Sequence, residues 1–114
     1  IEAAPAPPPA VNPLLATYHG NRASAFNMIL KYDDAIADCD AAVKADPTFA
    51  KGHFRKAKIL TARGDLDGAT RAYSMGMIRD PNDAKVVKEK DEVETVRRRM
   101  QLAADLLGKL KGGE

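Results

Sequence analysis

From Pro13 onward, apolar and small residues recur at intervals of three and four, the spacing that lines one face of an α-helix. The clearest stretch covers 32–45, where Ala35, Ile36, Cys39, Ala42 and Val43 form one stripe with charged residues between them. Pro47 then halts the pattern. Asn12 followed by Pro13 reads as a helix N-cap with proline at the first helical position, where its missing donor costs nothing. A first helix is therefore expected from Pro13 to about Leu30. Two more helices are expected at 50–63 and 66–79, with Gly64-Asp65 as the turn and Pro81 as the stop. From Asn82 the pattern changes: Val86, Val93, Val96, Met100, Ala103, Leu107 and Leu110 keep helical spacing without any turn signal before Gly108, which predicts one long amphipathic helix over 84–110.

The helical pairs also repeat each other. His19, Ala23, Asp33, Ala35, Asp46 and Pro47 return 34 residues later as His53, Ala57, Asp67, Ala69, Asp80 and Pro81. Self-similarity at this period marks a helix-turn-helix unit that cannot bury its apolar face alone and stacks on copies of itself. The expected fold is all-α: a right-handed α-solenoid of two helix-turn-helix repeats, 13–47 and 48–81, closed by a long C-terminal capping helix over 82–110. The far half of that helix extends past what one repeat can cover, leaving Met100, Leu106 and Leu107 without a partner. Self-association through this helix, or a further domain, would supply one.

Composition narrows the functional classes. With 114 residues the chain holds at most one small domain, and Pro5, Pro7, Pro8 and Pro9 among alanines make 1–12 a linker or tail rather than core. Residues 111–114 read as a flexible end. Aromatic residues make up 5% and there is no Trp, which suits an Ala- and Leu-built helical core and argues against a deep aromatic pocket. A net charge of +2 gives no whole-chain electrostatic case for nucleic acid, and no apolar run approaches the ~20 residues of a membrane span. The lone Cys39 cannot form an internal disulfide, so a reducing, cytoplasmic setting is expected. The start at Ile1 rather than Met reads as the edge of an excised or processed fragment.

The runs Asn21-Arg22-Ala23-Ser24-Ala25-Phe26, Tyr32-Asp33-Asp34-Ala35-Ile36 and Ala45-Asp46-Pro47 resemble a tetratricopeptide repeat, and Ala57, Gly64-Asp65, Ala69, Tyr73 and Asp80-Pro81 look like the next one. With the capping helix the resemblance covers about 13–110. It implies that Ala23, Ala35, Ala42, Ala57 and Ala69 sit where paired helices approach, with Phe26 and Tyr73 filling the space between layers. A narrower resemblance is to the co-chaperone branch, in which a concave groove grips the terminal carboxylate of a partner peptide with five residues. Asn21 matches the second-repeat Asn of that clamp, and Lys51 and Arg55 match the third-repeat pair. This implies a partner such as the acidic, EEVD-like C-terminal tail of a heat-shock chaperone of the seventy- or ninety-kilodalton class. Thr17, Ser24, Asn27, Phe54 and Lys58 are the accompanying groove candidates.

The physics of the three clamp positions is consistent with that role. Lys51 and Arg55, at i and i+4, share a helix face and can converge on one anion. Asn21 lies on the neighbouring inner helix, ~8–10 Å away between axes, and can add an amide donor. A first repeat carrying the remaining Lys and Asn would have to precede residue 13, and the Pro-rich segment cannot form a helical pair. At most three of five clamp positions are present, so weak peptide binding is expected. The alternative class is a structural tetratricopeptide segment of a larger adaptor, contacting a folded partner or self-associating through the capping helix.

Other chemistry is not indicated. His19 and His53 occupy equivalent packing positions, and no carboxylate or second Cys completes a metal site with Cys39, which stands where a buried inert thiol is expected. No nucleophile, base and orienter share a usable spacing, so no enzymatic activity and no cofactor are expected. Arg97-Arg98-Arg99 points in three directions around the helix, with Glu92, Glu94 and Asp105 near enough to offset it, as on a solvated face.

Overall fold

A computed structural model describes residues 10–112. The Pro-rich tail up to residue 9, and residues 113 and 114 of the expected flexible end, lie outside the described residues. The described residues form five helices and no strand: α1 Pro13–Met28, α2 Tyr32–Ala45, α3 Ala50–Arg63, α4 Leu66–Arg79 and α5 Ala84–Gly112. The order follows from local chemistry. Asn12 Oδ1 accepts the Leu15 N–H at 3.0 Å, and Pro13 opens α1. Asp65 does the same for α4 by accepting from Gly68 N at 2.8 Å. Asp33 and Asp34 in the first turn of α2 favour the positive end of its dipole in place of a side-chain cap.

The first helix ends at Met28, two residues before the sequence pattern suggests. The chain turns there through Leu30, whose φ of 63° is left-handed. Lys31 N–H closes the turn by donating to Phe26 O at 2.9 Å. The same turn after α3 uses Gly64 at φ 93°, closed by Asp65 N–H to Leu60 O at 2.8 Å. The long helix runs on to Gly112 rather than stopping at Leu110.

Consecutive helices pack as antiparallel pairs, α1 on α2 and α3 on α4, with α2 also against α3 and α5 against α4. Two apolar clusters result. Ala23, Ala35, Cys39 and Ile59 seal the first repeat to the second, with Phe26, Tyr32 and Ile36 at their edge. Phe54, Ala57, Leu60, Ala69, Ala72, Tyr73, Val86 and Val93 seal the second repeat to α5. Ala23, Ala35, Ala42, Ala57 and Ala69 are fully buried, because only a methyl group fits where paired helices cross.

The 34-residue frame extends into α5. Ile59 and Val93 are equivalent and both buried, each packing back on the preceding helix pair. Their counterpart in α1, Ala25, is exposed, as are its neighbours Tyr18 and Leu14. Arg63 pairs with Asp33 and, one period on, Arg97 pairs with Asp67 at 3.1 Å. Through Arg97, then, α5 takes the place of the first helix of a third repeat. Beyond it every described residue is exposed.

Candidate functional site

The sequence-nominated residues sit on α1 and α3, which also touch each other. Asn21 is exposed on α1, and Lys51 is exposed near the start of α3. Arg55, one turn further on, is half-buried. It lies against α1 at Gly20: a Cβ built there would fall inside the contact distance of Arg55 Nη1 and 3.0 Å from the Phe49 ring. The guanidinium thus occupies a niche that exists because residue 20 has no side chain. Arg55 Nη1 is buried there without a hydrogen-bond partner among the described residues.

The ion pairs of α3 set Lys51 and Arg55 apart. Lys56 Nζ lies 2.7 Å from Asp40 of α2, Lys58 Nζ 3.7 Å from Glu89 of α5, and Arg63 pairs with Asp33. Among the described residues neither Lys51 nor Arg55 has a carboxylate within salt-bridge distance. Buried donors normally find acceptors, and an unpaired one costs free energy. Two cations one helical turn apart, both without a carboxylate partner among the described residues, are suited to pairing with an anion.

The accompanying groove candidates divide. Thr17 donates its hydroxyl to Pro13 O at 3.0 Å and Ser24 to Gly20 O at 3.3 Å, so each is satisfied within its own helix. Asn27 is half-buried near the end of α1. Lys58 is half-exposed and tied to Glu89. Phe54 does not line a groove. It is 7% exposed in the core between α3 and α4, where its ring fills the space left by Gly76. Burying an aromatic ring of this size is a large apolar gain, and the missing side chain of Gly76 gives it room.

Sequence patterning also passed over the strongest polar contact. Asp38, buried on α2, accepts from Arg22 Nε and Nη2, both at 2.7 Å, and lies 3.1 Å from His19 Nδ1. The bidentate bond to Arg22 is the main reason the Asp38 carboxyl is held below the usual carboxylate range. His19 is therefore a polar link between α1 and α2 rather than a packing residue. The signal was available in the repeat frame, since Asp38 interrupts the small-residue positions and its second-repeat counterpart is Ala72. His53, the counterpart of His19, is half-buried, and burial lowers its pKa. Cys39 is fully buried, which pushes its thiol up to about 12. No group of three or more His, Cys, Asp or Glu residues converges to hold a metal among the described residues. No described helix is long and apolar enough to cross a membrane.

The arginine run of α5 is neutralised differently from the expectation. Arg97 is paired with Asp67 of α4, while Glu94 pairs with Lys90 at 2.8 Å and Asp105 accepts from Gln101 at 3.0 Å. Glu94 and Asp105 thus have nearer partners; Lys90 holds the Glu94 carboxyl below its usual range, with Arg98 and Arg97 adding to its effect.

The sequence profile of the tetratricopeptide repeat matches residues 31–88. The chain belongs to the tetratricopeptide repeat family. It is 37% identical over 78 residues to small glutamine-rich tetratricopeptide repeat-containing protein 2 of Mycosarcoma maydis, covering 68% of this chain and 22% of that protein. It is 34% identical over 76 residues to the heat shock protein sti1 homolog of Schizosaccharomyces pombe, covering 67% and 13%. Against human DnaJ homolog subfamily C member 7 the identity is 30% over 77 residues, covering 68% and 16%. The chain therefore spans less than a quarter of the length of these relatives. Among solved structures, the first tetratricopeptide domain of Spaghetti (RPAP3), bound to the HSP90 peptide SRMEEVD, superposes with a TM-score of 0.68 at 24% identity, covering 73% of this chain and 66% of that one. That likeness establishes the fold: an all-α tetratricopeptide solenoid.

Proposed function

We propose that this chain is a co-chaperone-type peptide-binding module that takes the acidic C-terminal tail of a heat-shock chaperone through a partial carboxylate clamp of Asn21, Lys51 and Arg55. The observation that carries this reading is the pairing pattern on α3: Lys56, Lys58 and Arg63 have carboxylates, while Lys51 and Arg55 have none among the described residues. Lys51 and Arg55 engage the terminal carboxylate, and the Asn21 amide donates to it or to the adjacent main chain. The names of the relatives, among them an Hsp70-Hsp90 organizing protein of Triticum aestivum at 34% identity, support the class of partner. The proposed role is binding without catalysis, and its expected setting is cytoplasmic.

The test is a titration with a peptide ending in Glu-Glu-Val-Asp, as the free acid and as the C-terminal amide. A lost hydrogen bond to a charged group is worth ~1.5–3 kcal/mol, so amidation, Lys51→Ala and Arg55→Ala should each weaken binding by roughly 10- to 100-fold. Equal affinity for the acid and the amide would refute the clamp.

A second reading, a structural segment of a larger adaptor, draws on a different feature. Met100, Leu106 and Leu107 are 59%, 52% and 58% exposed on α5.

A further inference from the structure

We infer that the protruding part of α5, residues 98–112, is a docking seam for an amphipathic helix with acidic flanks. The starting point is the turn that does not occur. In the repeat frame, the turn after the first helix of each pair passes through Leu30 and Gly64, both left-handed. The third position of that series is Arg98, and there α5 continues as helix to Gly112. Most helical stability in proteins comes from packing an apolar face, and past Arg97 this helix packs on nothing among the described residues.

The spacing of that face identifies the shape of its partner. Val96, Met100, Ala103, Leu107 and Leu110 alternate steps of four and three residues, a mean of 3.5, which is the seam of a helix that pairs with another helix. Val93 begins the same series and is buried on the second repeat, so the seam is continuous with an interface the fold already uses. Outside the body it is bare: Val96 is 46% exposed and Leu110 is 79% exposed.

Charge then selects among helical partners. Arg99 and Lys111 stand beside the seam at the positions that meet a partner's flanks, with Arg98 and Lys109 behind them. Asp105 is the single acid in the protrusion and accepts from Gln101. The protrusion carries four cations, Arg98, Arg99, Lys109 and Lys111, against that one acid, so a second copy would bring like net charge against it. A helix with Glu or Asp beside its apolar seam is attracted at both ends of the protrusion, by Arg99 and by Lys111, with Ala104 and Leu106 between them.

The experiment uses the intact chain and two amidated probe peptides of three heptads, each with Leu at the seam positions. One carries Glu at every flanking position and the other Lys. The Glu probe should bind at least ~10-fold more tightly than the Lys probe, with an advantage that shrinks as salt rises. Leu107→Glu with Leu110→Glu should abolish binding, and both side chains are exposed enough for the fold to survive. Arg99→Glu with Lys111→Glu should reverse the preference. Lys51→Ala should leave it unchanged, which separates this seam from the peptide clamp. Equal binding of the two probes would overturn the inference. So would a stable dimer of the chain alone by analytical ultracentrifugation, or recovery on phosphatidylserine vesicles without binding to the Glu probe.

Discussion

Leu30 and Gly64 occupy the same place in successive repeats, and both are left-handed, at φ 63° and 93°. Glycine holds that conformation freely, whereas leucine carries a clash between Cβ and the backbone of ~1–2 kcal/mol. Leu30 is also 69% exposed, so its side chain returns little in packing. Leu30→Gly should raise stability by ~0.5–1 kcal/mol after the extra chain entropy of glycine is subtracted. Thermal unfolding should show a rise of a few degrees, and Gly64→Leu a comparable fall. A lower melting temperature for Leu30→Gly would show that this turn draws support from the leucine side chain.

The repeat frame explains what the sequence disclosed and what it hid. Helices α2, α3 and α4 run where the apolar spacing and the Pro and Gly stops put them, because each rests on local signals within a few residues. The end of α1 was misjudged because Leu30 does a job normally marked by glycine. At the candidate site, Asn21, Lys51 and Arg55 were nominated by residue type and spacing. The niche that seats Arg55 depends on Gly20 and Phe49, which meet it only when α1 and α3 pack. The burial of Phe54 is not legible locally, because it depends on Gly76, 22 residues on, whose missing side chain makes room for the ring.

Asp38 couples the acid stability of the fold to the α1–α2 contact. Its carboxyl has a native pKa below the unfolded value of about 4. Its contribution is therefore complete above pH ~4 and is lost as pH falls through the depressed native value. Asp38→Asn should cost ~1.5–3 kcal/mol at neutral pH, since it removes a charge-assisted bidentate pair from a buried site. Urea unfolding at pH 7 and pH 3 should show a smaller acid loss in the variant than in the parent chain. Identical acid losses would assign the pH dependence to other carboxylates.

Cys39 should be chemically silent in the native protein. Burial excludes water and raises the thiol to about 12, so almost no thiolate exists at pH 8. A disulfide reagent such as 5,5′-dithiobis(2-nitrobenzoate) should label Cys39 only at the rate of unfolding, with labelling accelerated in step with urea-induced destabilisation. Rapid stoichiometric labelling under native conditions would mean that the α2–α3 contact opens locally.

Gly20 offers a way to test the seat of Arg55 without touching a charge. An added Cβ would displace Arg55 Nη1, which sits at the end of a flexible side chain, and press on the Phe49 ring at 3.0 Å. The helix-propensity gain of Gly→Ala, up to ~1 kcal/mol, opposes that crowding, so Gly20→Ala should melt within a few degrees of the parent. If Arg55 engages the peptide as proposed, affinity should nevertheless fall ~3-fold or more, because the guanidinium loses its preorganised seat. On an Arg55→Ala background the same change should have no further effect, giving a strong coupling in the double-mutant cycle. Additive losses would mean that Gly20 acts on the peptide by another route, and an unchanged affinity would mean that Arg55 binds from outside the niche.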